Sequence, residues 1–263
     1  MGAEDLAAEL LSTTFDAEPL AASMYGVPGY DHLLPDFSEA AQADLTQRLE
    51  SIAGRAEGEP RSELGEIELQ TLDFVRHLAR GMADAAPVPI VEFTVCDTFV
   101  EPVAGILTTL PKVPLDKEER KDGYLARLVA LPGVLATVAD RHAAGIAAGR
   151  TAVTRLVESA VTQLDLLIED TTVGGIGRTD QDDDDIFAGA VASALETQVR
   201  PALASYRDRL RETVLPAARD DDHPGLCHLP GGGEMYEVLV RLHTSMPHSH
   251  DELHALGREI VEQ

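Results

Sequence analysis

The sequence predicts a mainly α fold: an array of about ten helices with at most a minor β element. Three observations carry that expectation. Apolar side chains recur at helical spacing over most of the 263 residues. Gly and Pro largely punctuate these runs. One short stretch, Pro87 to Cys96, concentrates β-branched and aromatic residues as a strand would.

The elements follow in order. Asp5 to Phe15 places Leu6, Leu10 and Leu11 on one face, and Glu18 to Tyr25 reads as a short helix stopped by Gly26 and Pro28. Ser38, or alternatively Asp36, caps a run from Glu39 to Glu57 that aligns Ala41, Leu45, Leu49 and Ile52. Ser62 begins the next amphipathic run, with Leu64, Ile67, Leu72, Phe74, Val75 and Leu78, and Gly81 and Pro87 close it. After the strand candidate, helical patterns cover about Glu101 to Leu110, Lys117 to Leu131, Val134 to Ala148 and Thr151 to Glu169, punctuated by Pro111, Pro114 and Pro132. A helix over Ile186 to Leu215 is expected to kink at Pro201, and a last pair spans about Glu234 to His243 and Ser249 to the C-terminus. A second minor β element is expected near Gly225 to Leu229.

Residues 1–263 read as a single helical region, with residues 171–181 as a possible loop or linker. The acidic run there (Asp180, Asp182, Asp183, Asp184, Asp185) lacks the alternating ligand order and terminal Glu of an EF-hand loop. Aspartates complementing a helix N-terminus are the expected reading. The helical pattern still holds at Gln263, which suggests a chain that is part of something longer.

Composition bounds the function. The chain carries 46 acidic against 21 basic side chains, a net charge of -25, which argues against nucleic acid as a partner. No apolar run was found that approaches a membrane span of roughly 18–20 residues. No basic region precedes an apolar stretch near Met1, and Cys96 and Cys227 make no disulfide framework, so a reduced, cytoplasmic protein is expected.

Few motifs carry chemistry on their own. His250 and His254 are four apart, on one helix face, the geometry of a zinc pair. Asp251 stands where the H-E-x-x-H signature has its Glu, however, and a third ligand would be needed. The Gly-rich segment Gly225 to Gly233 could bring backbone amides to an anion, but no Lys-Ser/Thr of a P-loop follows. Gly145 and Gly149 suggest close helix packing or a helix stop, and each cysteine reads as a small buried hydrophobe. No nucleophile elbow and no dinucleotide fingerprint occurs.

Several stretches together resemble a known family. They are Pro19 to Gly26, Tyr30 to Ser38, Arg141 to Ala152, Arg200 to Leu203 with Tyr206 to Asp208, and Leu215 to Arg219. Gly225 to Gly233 with Tyr236, Arg241 to Thr244, and Asp251 to Gly257 complete the ordered set. This order resembles the bacterial domain of unknown function 885 family, over nearly the whole chain. Members look like helical, gluzincin-type zinc metallopeptidases about twice this long, so the resemblance implies the N-terminal half of such a protein. Of His250 and His254 only His254 falls on a family motif position, and Ile260 and Val261 depart from the family pattern.

The resemblance therefore implies no catalytic and no metal residue here, and zinc only in a full-length relative. The expected function is the substrate-channel-forming helical part of a metallopeptidase-like hydrolase, inactive alone. The substrate would be a peptide or small amide once a C-terminal half completes the site. Gly231, Gly232, Gly233, Tyr236, Arg241 and His243 are the expected channel residues. Arg241 would meet a carboxylate, and Tyr236 or His243 an oxyanion. Their ordinary alternative is a buried polar network between helices. Two other readings stand beside this one: a non-enzymatic helical binding or scaffold protein, and a self-contained metal hydrolase using His250 and His254. Apolar surface left uncovered should drive self-association.

Overall fold

The long amphipathic runs fold as helices in a computed structural model that describes residues 2–62, 64–179, 185–244 and 248–262. In chain order they are α1 (Ala3–Ala17), α2 (Pro19–Met24), α3 (Glu39–Gly58), α4 (Glu66–Ala85), α5 (Ile90–Phe93) and α6 (Pro102–Thr109). Then come α7 (Glu118–Ala147), α8 (Thr154–Glu169), α9 (Asp185–Ala194), α10 (Arg200–Arg209), α11 (Gly232–Thr244) and α12 (His250–Glu262). The protein is mainly α. Among the described residues no strand forms, and one isolated bridge pairs Val153 with Arg219.

The described chain divides into two compact units. The first comprises residues 1–14, 39–88 and 225–263. Its centre is the α3–α4 pair, where Leu49, Ile52, Ala53 and Ala56 meet Leu72, Val75, Ala79 and Ala83, and Ala3, Leu6 and Leu10 of α1 close the cluster. Each buried Leu or Ile there stabilises the unit by about 1.5–3 kcal/mol. Helix α4 begins at Glu66 rather than near Ser62, because the Glu68 carboxylate reaches back to accept the Gly65 N–H at 2.8 Å. Helix α11 lies along α4, with Leu242 against Gly81.

The second unit comprises residues 15–38 and 89–224 and is built round α7. Tyr124, Leu128, Leu131, Leu135 and Val138 are buried in its core with Val157, Leu164, Leu203 and Leu210. The two helices expected on either side of Pro132 are one 30-residue helix. Dense packing before and after Pro132 holds the axis, although proline lacks the N–H the ladder would use. By length and composition alone α7 could cross a membrane, contrary to the reading of the apolar runs; here its apolar side chains are core. Segment 15–38 is held by Arg127, 1% exposed, which donates to the carbonyls of Leu33, Pro19 and Tyr30 and to Ser23 Oγ. Burial lowers its guanidinium to about 10.

Four local expectations are corrected. The strand expected over Pro87 to Cys96 is the short helix α5, because no neighbouring strand offers it a ladder and Glu92 packs instead on α7. Gly145 permits that contact: a Cβ there would lie 2.6 Å from Glu92 Cβ and 2.9 Å from Glu92 O. Gly149, at φ +76°, follows the helix end as its left-handed stop. The β element expected near Gly225 to Leu229 is a single 3₁₀ turn, Leu226–His228. Helix α8 starts at Thr154, not Thr151, because Ala152 O accepts from Arg219 N and Thr154 N donates to Arg219 O. The kink expected at Pro201 is a wide π turn, Leu195–Val199, just before α10, so Pro201 falls in a first turn where its missing N–H costs little.

The loop read as a possible linker lies inside the second unit. Asp170 accepts the Gly174 and Thr172 N–H groups, and Val173 and Ile176 are fully buried. Asp185 opens α9; the rest of the acidic run, Asp180 to Asp184, lies outside the described residues.

Candidate functional site

The Gly-rich segment that leads into α11 is a backbone packing device. Gly231 takes φ +70°, and Gly232 lies so close to the preceding turn that an added Cβ would be 1.6 Å from Leu226 O. Gly232 N donates to Leu229 O, so that amide is already used. The expected channel side chains are on α11 but not together. Tyr236 and His243, seven residues apart, share a helix face and are exposed. Arg241 is five from Tyr236, about 140° round the helix. It sits one turn beyond Glu237, whose carboxyl its charge helps to lower. All three side chains are exposed, so the buried-network alternative does not describe them.

The histidine pair on α12 is also engaged elsewhere. His250 Nδ1 pairs with the Glu237 carboxylate, and its ring meets the Tyr236 ring edge-on at 5.7 Å. The hydrogen bond to Glu237 raises the imidazole above its ordinary value, and the same bond lowers Glu237. Ser249 and Glu252 cap the helix reciprocally. Among the described residues no group of three or more His, Cys, Asp or Glu side chains could hold a metal ion. Among the described residues His250 and His254 gather no third ligand for a zinc ion, and His250 Nδ1 is paired with Glu237.

The second unit contains a polar cluster that sequence reading did not single out. Glu101 is the N-cap of α6: its Oε2 accepts from Ala104 N at 2.5 Å. Oε1 of the same carboxyl lies 3.1 Å from Tyr206 Oη on α10, and Tyr206 Oη lies 2.9 Å from His142 Nε2 on α7. His142 is fully buried, and Glu101 and Tyr206 are each 3% exposed. Burial pushes Glu101 up to about 7, His142 down to about 4, and Tyr206 well above the usual phenol range. His142 Nδ1 faces the carbonyls of Val91 and Glu92 without a partner at hydrogen-bond geometry.

The row has two protonation orders. With Glu101 ionised, Tyr206 donates to its Oε1 and accepts from His142 Nε2–H. With Glu101 neutral, it can donate to Tyr206 and Tyr206 to His142 Nε2, and the imidazole proton then sits on Nδ1 toward the two carbonyls. Ionising Glu101 reverses the row and turns a lone pair of His142 toward those carbonyls.

Glu101 and Tyr206 of this cluster floor a cleft of about 310 Å³. Cys96, Glu101 and Tyr206 form its polar base; Val103, Leu107, Leu164 and Leu167 form its apolar walls. Asp97, Thr108, Lys112 and Gln163 stand at its exposed mouth, with Asp97 accepting from Ser159 Oγ at 2.7 Å. Such volumes suit small molecules. Beside it, but outside the cleft, Glu92 (5% exposed) joins Arg141 at 3.2 Å and Arg150 at 2.5 Å in a buried ion cluster that fixes α5 on α7. The sequence signal for Glu101 was its place immediately before Pro102 at a helix start; for His142 and Tyr206 it was only their membership of familiar stretches.

Comparison with known proteins gives three findings. A family model described as "Bacterial protein of unknown function (DUF885)" matches residues 19–263. No curated protein matches the chain. A crystal structure described as that of "the putative lipoprotein from Colwellia psychrerythraea" has the same fold, with a TM-score of 0.77 at 18% sequence identity. The match covers 99% of this chain and 49% of that one, so this chain spans about half the length of that protein.

Proposed function

We propose that this chain, which belongs to the DUF885 family of bacterial proteins of unknown function, is the helical, channel-forming part of a metallopeptidase-like hydrolase. The observation that carries the reading is that this fold recurs as half of a chain about twice as long. The resemblance to zinc metallopeptidases supplies the reaction class. The residues of this chain assemble no zinc-ligand set among those described, so no step of the reaction runs through a metal held here.

What the chain contributes is a wall. Tyr236 and His243 share an exposed face of α11, where both could donate to a peptide carbonyl. Arg241, exposed one turn beyond Glu237, is free in orientation to meet a substrate carboxylate. Helix α12 supports the reading: Leu256, Ile260 and Val261 are 48%, 62% and 86% exposed, an apolar face for another segment or a second copy to cover. Two free thiols, Cys96 buried and Cys227 exposed, support placement in a reducing compartment.

The test is to prepare the chain alone and joined to the C-terminal half of a full-length family member. The joined protein is expected to hold stoichiometric zinc and to cleave members of a peptide mixture; the chain alone is expected to do neither. Peptide cleavage by the chain alone, or a folded joined protein without zinc or cleavage, refutes the proposal. A binding role apart from catalysis is favoured by one observation, the cleft over Glu101.

A further inference from the structure

Glu101 caps α6 and also faces an open cleft, where its ionised form has no cation beside it, a costly state. Glu101 is 3% exposed. Tyr206 and the α6 amide satisfy hydrogen bonds of its oxygens but carry no positive charge. Among the described residues no Lys, Arg or His lies at ion-pair distance from it. The charged and titratable groups round it are Tyr206 from α10, His142 behind Tyr206 from α7, Cys96 and Asp97 from the segment before α6, and Lys112 at the exposed mouth. Cleft walls of Val103, Leu107, Leu164 and Leu167 offer an apolar lining a few carbons long.

From this geometry we propose that the cleft is a binding site for a small primary ammonium ion with a short apolar body, its charged head paired with Glu101 and its hydrocarbon against Leu107, Leu164 and Leu167. The site is independent of the peptidase reading and lies wholly in the second unit. Three features select this class over others. The buried oxygens of Glu101 accept hydrogen bonds from a cation more strongly than from a neutral donor. The -25 net charge draws cations toward the surface and disfavours anions. The apolar walls reward a hydrocarbon body and give nothing to a bare metal ion.

The occupied state has a definite proton balance. Binding takes the ammonium with Glu101 ionised, so a proton leaves Glu101 when the cation enters at a pH below the carboxyl's own titration near 7. Tyr206 then donates to Glu101 and the His142 proton moves to Nε2, as the row of hydrogen bonds requires. His142 itself stays neutral across this range, being held down to about 4.

The experiment titrates n-pentylammonium, n-pentanol and n-pentanoate into the whole chain by calorimetry at constant ionic strength. Pentylammonium should bind at pH 8.5, at least about tenfold tighter than the alcohol or the carboxylate, as expected for a hydrogen bond to a charged group. Its affinity should fall by about tenfold per pH unit below 7, since each proton returned to Glu101 must be displaced. Glu101→Gln should remove the preference and the pH dependence together. Should that variant fail to fold, Gln163→Trp at the exposed mouth should weaken binding by obstruction while the pH dependence of the parent protein still reports on Glu101. No binding by the ammonium, equal binding of all three probes, or an affinity unchanged between pH 5.5 and 8.5 overturns the proposal.

Discussion

Glu101 turns a buried contact into a measurable pH dependence. Its carboxyl titrates near 7 in the fold because burial disfavours the anion, against 4.5 for an ordinary Glu. The folded state therefore binds the proton more tightly than the unfolded chain. Stability from this group is fully present below about 4.5, and it is lost as the pH rises through 7. The difference amounts to about 3 kcal/mol at high pH, at 1.36 kcal/mol per pH unit. Glu101→Gln removes the ionisation while keeping an oxygen that can accept the Ala104 N–H, so the cap survives. Expected are equal stabilities of parent and variant at pH 4.5 and a variant more stable by about 2–3 kcal/mol at pH 8.5. Urea unfolding followed by circular dichroism at both pH values measures this. Taking the difference between the two proteins cancels the many exposed carboxylates, such as Glu9, Glu57 and Asp73, that arginines lower and that act in the opposite sense. Identical urea midpoints at pH 8.5 would refute the account of Glu101 as a desolvated acid.

Three further outcomes follow from the packing. Glu92→Ala should destabilise the second unit by about 3–5 kcal/mol, because Arg141, 5% exposed, loses its buried counter-charge; a loss under 1 kcal/mol in urea unfolding would show the cluster to be hydrated. Gly232→Ala and Gly257→Ala should differ in sign. The first forces a Cβ into Leu226 O and should free α11, seen as lost amide protection; the second meets nothing within 4 Å in an exposed helix and should stabilise by about 0.5–1 kcal/mol. Replacing Ile260 and Val261 with Lys should lower self-association in light scattering without moving the urea midpoint, since both side chains are exposed.

Local chemistry made much of this molecule legible in its sequence. The stripes through Leu6 and Leu10, Leu49 and Ile52, and Leu72 and Val75 named the faces that form the first core. Gly145 and Gly149 foretold a close approach and a helix stop, and both occur. Ser249 marked the start of α12. Errors fell where a neighbour outweighed propensity. Within the β-branched run at Val88 to Val95, Ile90–Phe93 became a helix because α7, not a strand, lies beside it. Pro132 failed to break α7 because packing on both sides holds the axis.

The sequence by itself determined the class of the fold and the family, because helical periodicity and an ordered set of short stretches are local properties of the chain. It also determined the net charge of -25. Only the tertiary structure decided which polar groups meet. Glu101 and Tyr206 are 105 residues apart, and Tyr206 and His142 are 64 apart, yet the fold joins them in one buried row whose first two members floor the cleft. It also turned His250 toward Glu237. Burial makes that difference: a side chain's charge state and partners depend on the water excluded around it, and no spacing along the chain records how much is excluded.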